Sequence, residues 1–576
     1  MYLDPIPNRN GTFTYLIRRS HRLGNNIVKT TLANVTKLGP DIMPDLQLLL
    51  RGGKVVTNIR DVFDVLSNKA HGHVAVVLGM MDQLGLPALI APKNTRFRRL
   101  VLGMMAARVL QPASKLATSR LLDQESCSTT LNALLGLKRV DEDHLYEAMD
   151  MLAQQKSRIE CALAQKHLGE GGLVLYDTTS SYVEGTQNEW AADGYHRDKK
   201  KGKQPIVIGL MTDGRGCPVS VEVFPGNTSD TATLGTQITK IQKTFGLQHV
   251  VLVGDRGILQ QKQIQQEVLP VGLDWITGMR KNEIEGVLLA QNHPRSLFDE
   301  TNLMEVEHQD FPHDRLILCR HPWQAQHHRE KREALIAKTK EKLDVIVAAT
   351  QREKRALKDQ VVIGLRVGKV ASQYKVNQYF LFDIREGFFS YQLNQTHLQK
   401  AEALDGLYAI RSSLKKEPQA PDLVRNYKRL ATVEMAFRAM KSLSLPIRPI
   451  HHRKKARVEA HVLLCMLSYY VQYHLQQKLA PLLFAEEDLE PKRVDRHDLI
   501  TPAKPTPQAR KKATTKKNEQ KRQVKSLEAL MEELSGLNRL VVQPKIAIKE
   551  QKEVIMMDGQ TPIQKEAFKL LNIQSL

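Results

Sequence analysis

The chain has 576 residues and a formal net charge of +22 at pH 7, from 84 Lys and Arg against 62 Asp and Glu. Apolar residues at 42% and charged residues at 25% exclude wholesale disorder, and the excess of positive charge calls for a polyanionic partner, nucleic acid or an anionic membrane. Cys127, Cys161, Cys217, Cys319 and Cys465 lie far apart with no Cys-x-x-Cys pair, which argues against a disulfide framework or a structural zinc site and fits a reducing compartment.

Met1-Tyr-Leu-Asp-Pro-Ile-Pro lacks a basic start followed by an apolar run, so no signal peptide is expected. Residues 1–57 read as a β unit, with Thr14–Arg18 and Asn26–Thr30 flanking Gly24. Residues 58–170 read as helical. Val62, Val65 and Leu66, then Val74, Val77 and Leu78, recur at three- and four-residue spacing, and Arg98–Leu110 and Leu145–Leu163 continue the pattern. Asp141 and Asp143 mark a helix start. At Gly171 the period changes. Leu173-Val-Leu-Tyr-Asp177 predicts a buried strand ending in a carboxylate, and Ile206–Thr212 and Val219–Phe224 predict two more. A helix is expected over Thr231–Phe245, and Val250-Val-Leu-Val-Gly-Asp255 repeats the apolar run ending in an acid. Beyond a helix at 258–268, a mixed region carries strand-like runs at Leu316–Cys319, Val361–Val367 and Gln378–Phe382, with a charged helix over His328–Lys358.

One long helix is expected over Leu423–Leu443 and an apolar one over Val458–Leu475. The longest apolar stretch, Val462–Val471, is about half the roughly 20 residues of a bilayer span, so nucleic acid is the expected partner and no membrane is. Residues 501–526 hold nine Lys and Arg against one acid, Glu519, and read as a linker or tail that clings to DNA without specificity. Leu527–Leu540 reads as a short amphipathic segment.

A carboxylate directly after an apolar strand sits at the carboxyl edge of a sheet, where α/β proteins place their sites. Asp177 and Asp255 both fit, although a turn or helix-cap aspartate is the plainer alternative for either alone. At about 100° per residue, Tyr427, Glu434, Arg438 and Lys441 share one stripe beside a core face of Leu430, Val433, Phe437 and Met440. From Tyr427 to Arg457 there are nine Lys and Arg and one acid, Glu434. Such self-repulsion gains little for a structural helix and much for a helix lying along phosphates. Asn227, Thr228 and Asp230 read as caps, and Trp190 and Trp323 as packing residues. Cys319, His321, His327 and His328 lack the second cysteine pair that zinc would need. No Walker A loop, Gly-x-Ser-x-Gly or dinucleotide fingerprint is present.

Tyr427-x6-Glu434-x6-Lys441 resembles the signature of insertion-sequence transposases of the DDE class. Leu175–Thr179, Gly194-Tyr-His-Arg-Asp198, Phe224–Asp230, Val253–Gly257, Ile447–Arg453, Gln111–Leu116 and Asp143–Tyr146 are similar to the same group, over roughly residues 10–475. The arginine of that signature is Leu430 here. Arg438, one turn past Glu434, is the candidate replacement.

The resemblance implies an α/β, RNase H-like (retroviral-integrase-like) catalytic core, preceded by a β and helical region and interrupted by a mainly β insertion. Its parts would be 171–270 and 413–480, with the insertion at 271–412 and a basic linker and tail at 481–576. Residues 58–170 would bind the DNA end. Asp177, Asp255 and Glu434 would be the catalytic acids and would hold two Mg²⁺, with Mn²⁺ as substitute, Asp177 bridging both ions. Tyr427, Arg438, Lys441, Arg448, His452 and Arg453 would contact DNA, although Tyr427 equally suits packing against the sheet. The expected partners are double-stranded DNA, as terminal inverted repeats and target, and a second copy of the chain on DNA. The expected location is the bacterial cytoplasm, at the nucleoid. A metal-dependent nuclease without strand transfer, or a DNA-binding derivative without catalysis, is the alternative.

Overall fold

The computed structural model describes residues 1–55, 62–195, 197–198, 200–291, 302–415, 417–442, 445–484, 507–545 and 553–574. They fall into two compact units, residues 1–70 with 537–560, and residues 71–536 with 561–576.

In the first unit, β1 (Tyr2–Pro7), β2 (Phe13–Leu23) and β3 (Asn26–Asn34) form an antiparallel sheet. Its β2–β3 turn uses Gly24 at φ +61°, a backbone that favours glycine. A second sheet pairs β4 (Phe63–Ala70) with β15 (Asn538–Pro544), which also pairs with β16 (Val554–Met557). The helix expected from Val65 and Leu66 is therefore a strand. Both side chains are exposed, and the partner that fixes the extended backbone comes from the far end of the chain. A short apolar run cannot reveal such a partner.

In the second unit, helices Gly72–Gln83, Arg96–Leu110 and Glu142–His167 precede the sheet. Asp141 caps the last of these, accepting from the His144 backbone N–H while His144 reaches back. Strands β5 (Leu173–Tyr182), β6 (Pro205–Asp213) and β7 (Pro218–Pro225) form an antiparallel meander. β8 (Val251–Gly254) and β9 (Asp274–Gly278) add to the other side of β5, both parallel to it. β10 (Leu303–Val306), β11 (Arg315–Arg320) and, after two further strands, β14 (Leu407–Ser412) extend the sheet to eight, in the order β10-β11-β14-β9-β8-β5-β6-β7. Helix Lys455–Leu479 packs on β7 and on Glu142–His167. At that seam Glu160, Glu222, Lys156 and Lys240 form a buried ionic cluster.

Between β11 and β14 lie helices Pro322–Thr350 and Gln360–Gln373, the hairpin of β12 (Phe380–Arg385) and β13 (Phe388–Leu393), and helix Gln395–Leu404. They share a core of Ile336, Leu343, Ile363, Val367, Phe380 and Phe389. The expected mainly β insertion is thus largely helical. Val361–Val367, expected as a strand, is helix: Ile363, Val367 and Ala371 are buried at four-residue spacing while Val361 and Leu365 are exposed, and Asp359 caps the start. β9, within the span expected for the insertion, lies at the centre of the sheet beside β8.

Two further expectations change. The single helix over 423–443 is two, Ala420–Lys428 and Leu430–Lys441, jointed at Arg429, whose Nη1 donates to the Gly214 carbonyl at 2.9 Å. The basic stretch is also not a plain tail. Residues 501–506 lie outside the described residues, but Pro507–Thr515 is a helix, Val524 is buried, and the buried Lys512 amine donates to the Ala480 carbonyl at 2.9 Å. A lysine can bury its stem when its amine finds an acceptor, so charge count alone misjudges this segment. No helix among the described residues is long and apolar enough to cross a membrane.

Candidate active site

β5 and β8 run in parallel register, with Tyr176 opposite Gly254. One residue further along, Asp177 continues β5 while Asp255 opens the turn after β8, close enough for the two charges to interact. Asp177 Oδ1 accepts from the Thr178 N–H at 2.7 Å. Asp255 Oδ1 accepts from the Gly257 and Ile258 N–H groups at 2.9 and 3.0 Å, which fixes its carboxylate in the turn after β8. Helix Leu430–Lys441 lies on β5, burying Leu430, Val433, Ala436, Phe437 and Met440 and leaving Glu434 and Arg438 exposed.

The three acids lie in one field. Burial, then the charges of Asp255 and Glu434, raise Asp177 to about 7 against the pull of the Thr178 N–H and Arg197. Tyr427 shares that field. Burial and then Asp255, Glu434 and Asp177 push its hydroxyl up to about 12, and its ring closes over Gly278 of β9, where a Cβ would collide with it. The sheet-packing role considered for Tyr427 is therefore realised, within reach of the acids' charge.

Around the acids lies a polar frame whose pairings the sequence did not disclose. Thr178 Oγ1 donates to Asp230 Oδ1 at 2.6 Å, and Arg197 Nη2 reaches Asp230 Oδ2 at 2.9 Å while Nη1 donates to the Thr178 carbonyl. Asp230, expected as a cap, is instead a tie between strand and loop, and Ser229 occupies the N-cap position. Lys441 Nζ donates to the Ser180 carbonyl at 2.6 Å, three residues along β5 from Asp177, and to Asp198 at 3.3 Å. Burial draws the Lys441 ammonium below its usual value, and Asp198 opposes this. Arg448 also pairs with Asp198.

The remaining expected DNA contacts divide. Arg453 is exposed. His452 is withdrawn into a cavity of about 400 Å³ lined by Arg108, Lys115, Tyr146 and His461, where burial, then Lys115 and Arg108, hold its ring down to about 3. It packs there among basic and aromatic side chains, and burial disfavours its cationic form. Of the basic residues in the amino-terminal helical region, Arg98, Arg99 and Arg108 donate to backbone carbonyls. Trp190 is half-buried with the Lys455 ammonium 4.9 Å from its ring. Trp323, expected to pack, is 62% exposed and stacks on His327.

Three carboxylates sharing one field make a set of hard oxygen donors of the kind that suits a hard divalent cation. They are spread wider than a single tight cage, since their ligand atoms do not all gather within 4.8 Å. The folded protein holds a proton on Asp177 more tightly than the unfolded chain does. That contribution is complete below about pH 4 and is lost as pH rises through about 7. Without divalent cation, the wild type should therefore lose melting temperature relative to Asp177→Asn between those values. Mg²⁺ should raise the wild-type melting temperature more at pH 8 than at pH 5. Equal Mg²⁺ shifts at both would show that the ion does not displace a proton from Asp177.

Residues 169–471, more than half of the chain, match the family described as the transposase DDE domain. No curated protein matches the chain.

Proposed function

We propose, for a chain that belongs to the transposase DDE-domain family, that Asp177, Asp255 and Glu434 are the catalytic acids of an insertion-sequence transposase with an RNase H-like core. The observation that carries this is the register that sets Asp177 beside Asp255, with Glu434 contributing to the same field. A meander of three strands, extended past its first strand by two parallel ones, agrees with that core. The family's substrate is DNA, which suits a net charge of +22.

Asp177, Asp255 and Glu434 would hold two Mg²⁺, or Mn²⁺, which supply polarisation of the attacking oxygen and charge stabilisation of the leaving one. The chain's own groups do the rest. Lys441 and Arg448, bracketing Asp198 beyond the acids, present positive charge to the phosphate backbone, and the exposed Arg438 and Arg453 extend that surface. Arg197 and Asp230 brace Thr178 and so set the backbone that carries Asp177. Water cleaves the phosphodiester at the element's end and leaves a 3′-hydroxyl, which then attacks a phosphodiester of the target. No serine or tyrosine nucleophile and no covalent protein–DNA intermediate is required. Bringing two ends together takes two copies of the chain on DNA, in a bacterial cytoplasm at the nucleoid.

The test is the full chain with a labelled duplex carrying the element's own end, with and without Mg²⁺. Mg²⁺-dependent cutting followed by joining to target is expected. Cutting without joining would assign a nuclease. Binding without cutting, in Mg²⁺ or Mn²⁺, would assign a DNA-binding derivative.

A further inference from the structure

We propose that His167, Cys217 and His474 form a site for one borderline-soft divalent transition-metal ion, Zn²⁺ in type, separate from the acid cluster. Cys217 Sγ lies 4.0 Å from His167 Nε2 and 3.8 Å from His474 Nε2, and the three ligand atoms all lie within 4.8 Å of one another. Zinc–sulfur and zinc–nitrogen bonds of about 2.3 and 2.0 Å at tetrahedral angles set sulfur and nitrogen about 3.5 Å apart. Both sulfur–nitrogen separations are therefore within about half an ångström of that value.

The donor set decides the kind of ion. Two imidazoles and a thiolate select zinc or its neighbours over Mg²⁺, which takes oxygen. The three ligands come from three elements: the end of helix Glu142–His167, the β6–β7 turn, and helix Lys455–Leu479. Cys217 is 1% exposed while both histidines are only partly buried. The ion would enter from the side of the histidines, with a water as fourth ligand. The buried Asp213 carboxylate accepts from the Cys217 N–H at 2.9 Å and pairs with Arg215, which fixes the turn that carries the sulfur. Asp213 pairs with Val174 near the start of β5. At a rise of about 3.3 Å per residue, Val174 is roughly 10 Å along the strand from Asp177.

On binding, the Cys217 S–H bond breaks, its proton goes to solvent, and a sulfur–metal bond forms. Each imidazole gives its Nε2 lone pair with its proton on Nδ1, and the Tyr470 hydroxyl, 2.8 Å from His167 Nε2, gives up that contact. The ion would clasp the two helices to the edge of the sheet.

The test uses the full chain, stripped of metal and held in excess Mg²⁺ to occupy the acids, titrated with Co²⁺ and then Zn²⁺. We expect one Co²⁺ per chain with a thiolate-to-cobalt charge-transfer band, and displacement by Zn²⁺. One proton should be released per metal ion bound to the metal-free chain. Cys217→Ser should lose the band, Cys465→Ser should keep it, and His474→Gln should bind at least tenfold more weakly. Absence of the band in folded wild type, or its persistence in Cys217→Ser, would make the trio a packing cluster and overturn the proposal. Should Cys217→Ser fail to fold, the wild-type band and the His474→Gln affinity decide.

Discussion

Asp177→Asn, Asp255→Asn and Glu434→Gln should each lower cutting and joining of the end-carrying duplex by on the order of 10³-fold or more, with DNA binding kept within a few-fold. Each amide keeps the shape of the acid and removes one anionic oxygen donor. The three differ in what they do to the apoprotein. Asp177 is raised to about 7 mainly by burial, so its amide relieves an unfavourable charge and should leave the fold at least as stable. Glu434 is exposed, so its replacement should be silent in stability. A variant that cuts and joins like wild type would show that its acid is structural, and the three-acid assignment would fall.

Glu160→Ala should cost about 3–5 kcal/mol of unfolding free energy, the usual loss when one partner of a buried ion pair is removed. Glu160 has a side chain 1% exposed and accepts from Lys156 at 3.3 Å, from Lys240 at 3.0 Å and from the Val221 N–H at 2.9 Å. Burial alone would lower the Lys240 ammonium, but Glu160 and Glu222 together raise it. Without Glu160, two buried lysines would share Glu222, and a β7 donor would lose its acceptor. Glu160→Gln should recover only part of the loss, because it restores hydrogen bonding and not charge. Denaturant titration of the three proteins measures this, and a loss under about 1 kcal/mol for Glu160→Ala would show the cluster to be well solvated.

What the sequence could disclose follows from how locally each feature is encoded. The two aspartates stood out because each closes a short apolar run, and the face holding Leu430, Val433, Phe437 and Met440 followed from helical periodicity; all four are buried. Val361–Val367 suits a strand and a helix alike, because it is rich in β-branched side chains, and the cap that decides for the helix, Asp359, lies outside that run. Arg197, Asp198 and Asp230 stand in blocks similar to the family, but they act through partners on other elements, so their roles do not follow from the residues beside them. The same holds for Cys217, whose histidine neighbours are 50 and 257 positions away. At the joint, Arg429 bonds to the Gly214 carbonyl of the β6–β7 turn, a partner that no helical wheel contains.

The pairing of β4 with β15 has a consequence for the order of events in the cell. Ala70 pairs with Asn538. At about 5–20 residues per second, the ribosome therefore needs roughly half a minute to a minute and a half to deliver the strand that β4 awaits. Throughout that interval the second sheet of the amino-terminal unit is unformed, and β4 is an unpaired edge open to other partners. A messenger cut short, or a ribosome that stops before residue 538, releases a chain in which the Asp177 sheet has all its strands while that unit lacks its closing one. Any work that depends on this second sheet is thereby reserved for chains synthesised past Pro544.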